Sequence, residues 1–99
     1  MHRIIIHGDP DLEDIIPRYL EGKQKDIQLI RDLLEKKNFE DIHVLGHGMK
    51  GSGGGFGFDA ITSIGAALER AAKEGDPGEI EKLLDELLNY LQRVEVVYD

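Results

Sequence analysis

The stretch Leu45-Gly46-His47-Gly48-Met49-Lys50-Gly51-Ser52-Gly53-Gly54-Gly55-Phe56-Gly57 sets one histidine and one lysine, three residues apart, among seven glycines. Glycine disfavours helix, yet Ile42, Leu45, Met49 and Phe56 recur at helical spacing, with Gly46 and Gly53 in slots between them. At about 100° per residue, His47 points roughly 140° away from that apolar stripe, in company with His43, Lys50, Gly51 and Gly54. An outward histidine with a cation one turn on, and no side chain at Gly48, Gly51 or Gly54, is open to approach by another macromolecule. Each interior glycine costs the helix about 0.5 to 1 kcal/mol relative to alanine. Docking of a partner at the imidazole is the simplest reason for such a helix.

These residues resemble the histidine-containing phosphotransfer (HPt) domain. The signature of that family is a His, two residues, Lys-Gly-Ser, a glycine about ten residues after the His, and a Leu-Glu pair further on. Here they read His47, Lys50-Gly51-Ser52, Gly57 and Leu68-Glu69, and the resemblance runs from about Leu12 to the end of the chain. The run Gly53-Gly54-Gly55 departs from it, since many members carry serine, alanine or asparagine there. The resemblance implies that His47 accepts a phosphoryl group and that the Glu69 carboxylate takes a hydrogen bond from the second ring nitrogen, fixing the tautomer. It also implies that the partners are receiver domains of response regulators or hybrid kinases. Magnesium is then expected only in the receiver's acidic pocket, and no cofactor on this chain.

Outward from that stretch, the pattern predicts four amphipathic helices. Asp9-Pro10 reads as the start of a short extra helix, broken near Ile15 or Ile16 by Pro17, which cannot donate a hydrogen bond. A long helix then carries Ile16, Leu20, Ile27, Ile30 and Leu34 on one face as far as Lys37, with Asn38 as its left-handed terminator. Phe39 opens the helix of His47. After Gly57, Ile61, Ile64, Gly65, Leu68 and Ala72 form a narrow stripe suited to close helix approach, ended by Gly75. Asp76-Pro77-Gly78-Glu79 is a helix start, followed by Ile80, Leu83, Leu84, Leu87, Leu88, Leu91 and Val94 at near-heptad spacing. The expected fold is all-α, an antiparallel four-helix bundle spanning residues 9–99 with a short N-terminal helix. Residues 1–8 read as an extended arm, because Ile4-Ile5-Ile6 has no neighbouring strand signal to pair with.

Composition bounds the function. Ninety-nine residues suit one small domain, and 20 acidic against 12 basic residues give a formal charge of −8 without a basic cluster. Nucleic acid and anionic membranes are therefore poor partners. Absence of cysteine removes thiolate chemistry and fits a reducing compartment, and Met1 to Ile6 lacks the shape of a signal peptide. A cytoplasmic monomer is expected.

Histidine is a nitrogen nucleophile that forms a labile phosphoramidate when the attacking nitrogen is neutral and exposed. Lys50, one turn from His47, is suited to neutralise phosphoryl oxygens. Glu69 falls about 80° from the centre of its own apolar stripe, where a side chain reaches sideways to a neighbouring helix; an i,i+4 pair with Lys73 is the alternative. Ser52 reads as structural, and His2 and His7 as solvated. His43 and His47, at i and i+4, lack the further ligands that a metal needs. Gly46, Gly48 and Gly51 match a dinucleotide fingerprint, but after a helix rather than a strand. Two functions remain: a phosphorelay carrier without its own nucleotide site, and a non-phosphorylated adaptor that binds a signalling partner through the same glycine-lined face. An adaptor tolerates glutamine at position 47; a carrier does not.

Overall fold

The computed structural model describes residues 2–99; Met1, the first residue of the expected arm, lies outside the described residues. Four helices follow in order: α1 (Ile16–Glu35), α2 (Phe39–Gly53), α3 (Asp59–Glu74) and α4 (Pro77–Arg93). They form a bundle in which each helix lies against its neighbours in the chain and α1 closes on α4. Strand β1 (Ile4–Gly8) precedes the bundle and β2 (Val94–Tyr98) follows it.

Local chemistry explains the helix limits. Asp76 accepts a hydrogen bond from the Glu79 amide at 3.2 Å with Pro77 in the first turn, so α4 starts where the sequence predicts. Gly75 ends α3 at φ 63°, a left-handed conformation that a side chain would oppose. The Gly75 and Asp76 amides close that end onto the carbonyls of Ala72 and Ala71. The same pair of bonds ends α1, but its left-handed residue is Lys37 at φ 54° rather than Asn38. Asn38 instead caps α2, its side chain accepting from the Asp41 amide at 3.1 Å. One residue cannot serve both ends, and Lys37 bears a left-handed strain of about 1 kcal/mol.

The expected extra helix is a single 3-10 turn, Pro10–Leu12, capped by the Asp9 carboxylate on the Asp11 amide at 2.9 Å. Pro17 lies in the first turn of α1, and the chain restarts as helix at Ile16 as expected. The second correction concerns α2, which does not run through Phe56 but ends at Gly53 and passes into a 3-10 turn, Gly54–Phe56.

The core draws on all four helices, with Ile16, Ile30, Ile42, Ile61, Leu68, Ile80, Leu84 and Leu87 fully buried. So is Phe58, whose ring stacks on that of Tyr19 of α1 at 6.0 Å between centroids. Each such side chain contributes roughly 1.5 to 3 kcal/mol by leaving water. Leu20 and Leu34 sit at the margin of this core rather than in it.

The largest departure from expectation is at the termini. Ile4–Gly8 is no lone arm: it pairs in parallel with Val94–Tyr98, Ile4 opposite Val94 and Ile6 opposite Val96. Val94, expected in the last helical stripe, is the first residue of β2. Alternation then decides the faces, with Ile4, Ile6, Val94, Val96 and Tyr98 against the core and Ile5 and Val97 outward. On the outer face Arg3 pairs with Glu95 at 3.2 Å and His7 with Asp99 at 3.0 Å, so His7 has the partner that its sequence context did not offer.

Candidate functional site

The site is built on the seam between α2 and α3. These two helices approach until backbone meets backbone, because the residues at the seam are glycines. A Cβ added at Gly46 would lie 2.8 Å from the Glu69 amide nitrogen, and one at Gly53 would lie 2.6 Å from that of Thr62. Two of the seven glycines around His47 thus answer to packing. At Gly48, Gly51 and Gly55 such a Cβ would meet nothing within 4 Å among the described residues beyond its own helix and chain neighbours, and it would face open space. Gly54, grouped with the helical face by its spacing, lies beyond the end of α2 in the 3-10 turn.

His47 projects from the outer side of α2, its side chain 70% exposed. Glu69 reaches across from α3 and is much more enclosed, with 20% of its side chain exposed. The carboxylate gathers three partners: Oε2 stands 2.7 Å from His47 Nδ1 and 3.9 Å from His43 Nε2, and Oε1 accepts from Lys50 Nζ at 3.4 Å. The hydrogen bond from His47 holds the Glu69 carboxyl below its ordinary range; its enclosed position opposes that shift and Lys50 adds to it. With Nδ1 engaged, a neutral imidazole is left with a free lone pair on Nε2, on the side away from Glu69.

The structure therefore brings together His47, Lys50, Glu69 and His43, while Gly48 and Gly51 leave the adjoining surface of α2 open. The approach of His43 to Glu69 has no signal in sequence beyond its i,i+4 relation to His47. Ser52 bonds the Tyr19 hydroxyl at 2.8 Å, and Tyr19 stacks on Phe56 at 4.4 Å between centroids, which ties the end of α2 to α1. Gly46, Gly48 and Gly51 are interior to a helix and form no phosphate-binding loop. Among the described residues, no group of three or more His, Cys, Asp or Glu side chains is arranged to hold a metal. Among them, too, no helix is long and apolar enough to cross a membrane.

Comparison with known proteins gives the same direction. The Hpt domain family model matches residues 14–96, from just before α1 into β2. No curated protein and no solved structure matches the chain. Members of the matching family are phosphocarrier modules that exchange phosphoryl groups with receiver domains and kinases in two-component signalling. With the match covering most of the chain, from residue 14 to residue 96, and the four helices forming a bundle, this protein belongs to the Hpt domain family.

Proposed function

We propose that the protein is a phosphorelay intermediate that takes a phosphoryl group on His47 Nε2 from a receiver aspartate or a kinase and passes it to another receiver aspartate. The observation that carries this reading is the 2.7 Å contact between His47 Nδ1 and Glu69 on a histidine that is otherwise open to solvent. In the step, a bond forms from Nε2 to phosphorus as the phosphorus–oxygen bond of the donor acyl phosphate breaks, its electron pair leaving with the donor carboxylate. The ring keeps its proton on Nδ1 and gains positive charge, which the Glu69 carboxylate stabilises. Lys50 offsets charge on the phosphoryl oxygens. Magnesium enters with the receiver, and the carrier works as a cytoplasmic monomer.

The adaptor reading leaves the pairing of Glu69 with His47 unexplained, since a docking surface needs no fixed tautomer. Incubation with a phosphorylated receiver tests the assignment. An acid-labile label is expected on His47 and on none of His2, His7 or His43, and His47→Gln is expected to fold and take no label. A labelled His47→Gln variant overturns it.

A further inference from the structure

Thr62, near the start of α3, touches the other end of the same lysine. Its hydroxyl accepts a hydrogen bond from the Gly54 amide at 2.7 Å and donates one to the Lys50 carbonyl oxygen at 3.2 Å. In an uninterrupted α-helix those two groups, four residues apart, bond to each other. A side chain set across that ladder bends or ends a helix. α2 stops at Gly53, the residue before that amide, and the tighter turn begins. Room for the hydroxyl comes from Gly53, where a Cβ would lie 2.6 Å from Thr62 Oγ1.

Thr62 and Glu69 are seven residues apart, two turns along one face of α3. That face grips Lys50 twice, Thr62 on its main-chain carbonyl and Glu69 on its ammonium at 3.4 Å. We propose that Thr62 is a positioning residue for phosphoryl transfer, its hydroxyl fixing the Lys50 main chain so that the ammonium stands beside Glu69, one turn from His47. The proposal rests on the reading of His47 as acceptor and Lys50 as its cationic neighbour. Valine at position 62 keeps the shape and removes both hydrogen bonds. The Gly54 amide and the Lys50 carbonyl then lose their shared partner, and the Lys50 main chain is no longer hydrogen-bonded to α3.

The test is a double-mutant cycle in transfer from a phosphorylated receiver, with Thr62→Val, Lys50→Ala, the double variant, Thr62→Ser and His47→Gln. Thr62→Val is expected to lower the maximal transfer rate about three- to tenfold, the scale of one lost hydrogen bond, at unchanged half-saturating receiver concentration. Thr62→Ser is expected to restore the rate. In the Lys50→Ala background Thr62→Val is expected to cause no further loss. A Thr62→Val variant that transfers at the parental rate, or that loses the same factor in both backgrounds, overturns the proposal while leaving His47 as acceptor. Label on His47→Gln overturns the acceptor reading instead. If Thr62→Val melts too low to assay, Thr62→Ala run through the same cycle well below its melting temperature decides between the same outcomes.

Discussion

Gly46 of α2 and Gly65 of α3 meet backbone to backbone: a Cβ at Gly65 would lie 2.8 Å from the Gly46 carbonyl oxygen, and one at Gly46 would lie 2.9 Å from that of Gly65. At that spacing Glu69, one turn beyond Gly65, reaches His47 Nδ1 at 2.7 Å.

Gly65→Ala therefore tests the seam. The added methyl would stand 2.5 Å from the Lys50 amide nitrogen and 2.7 Å from Met49 Cβ, and backbone cannot step aside as a flexible side chain does. The helices must part, at about 3 kcal/mol. A lowered thermal melt and slower receiver-to-His47 transfer are expected together; a parental melt shows that the seam yields easily.

Gly51→Gln is the opposite case. Among the described residues nothing beyond its own helix lies within 4 Å of a Cβ there, and glutamine is the better helix former, so the melt is expected to hold or rise. Gly51 sits one turn beyond His47 on the exposed side of α2, and under the proposed function a partner's loops pass over it to bring the donor phosphoryl group within about 3 Å of the imidazole. Transfer is expected to be blocked. A stable variant that transfers at the parental rate shows that the partner does not approach over Gly51.

Glu69→Gln probes the charge of the carboxylate through pH. The folded-state pKa of Glu69 is lowered from 4.5, so its ionisation contributes stability above the unfolded value, and that stability is lost as pH falls through the lowered folded value. The difference in melting temperature between parent and variant, present at about pH 5, is expected to close as pH drops below 4.5. A gap that persists unchanged into stronger acid means that Glu69 stabilises the fold by shape rather than charge.

Tyr90→Phe examines a buried hydroxyl that has no hydrogen-bond partner among the described residues, on a phenol whose pKa is raised chiefly by burial. Removing an unsatisfied polar group is expected to stabilise by about 1 kcal/mol in chemical unfolding. Loss of stability by a similar amount reveals a bound water at that hydroxyl.

The terminal ribbon makes a test of facing. Ile6 lies against the core and Ile5 is 47% exposed on the outer side. Ile6→Ala is expected to lower stability by about 1 to 2 kcal/mol and Ile5→Ala to leave it nearly unchanged. Equal effects contradict the register Ile4 with Val94.

By itself the sequence determined what depends on neighbours a few residues away. The Asp76 cap with Glu79, the left-handed Gly75, the restart at Pro17 and the apolar stripes of α1, α3 and α4 all follow from spacing, because helix contacts span three or four positions. The same arithmetic turned His47 outward and put Glu69 at the edge of its stripe. Tertiary structure alone decided what depends on distant chain. Nothing local in Ile4–Ile6 names Val94–Val96 as its partner some ninety residues on, and β2, too short to announce itself, reads in sequence as a helix tail. Thr62 is an ordinary helical residue until Gly53 lets its hydroxyl reach Lys50 and Gly54, and so the end of α2 lay hidden in α3. The 2.7 Å between His47 and Glu69 is of the same kind: periodicity supplied the two directions, and the glycine seam supplied the distance.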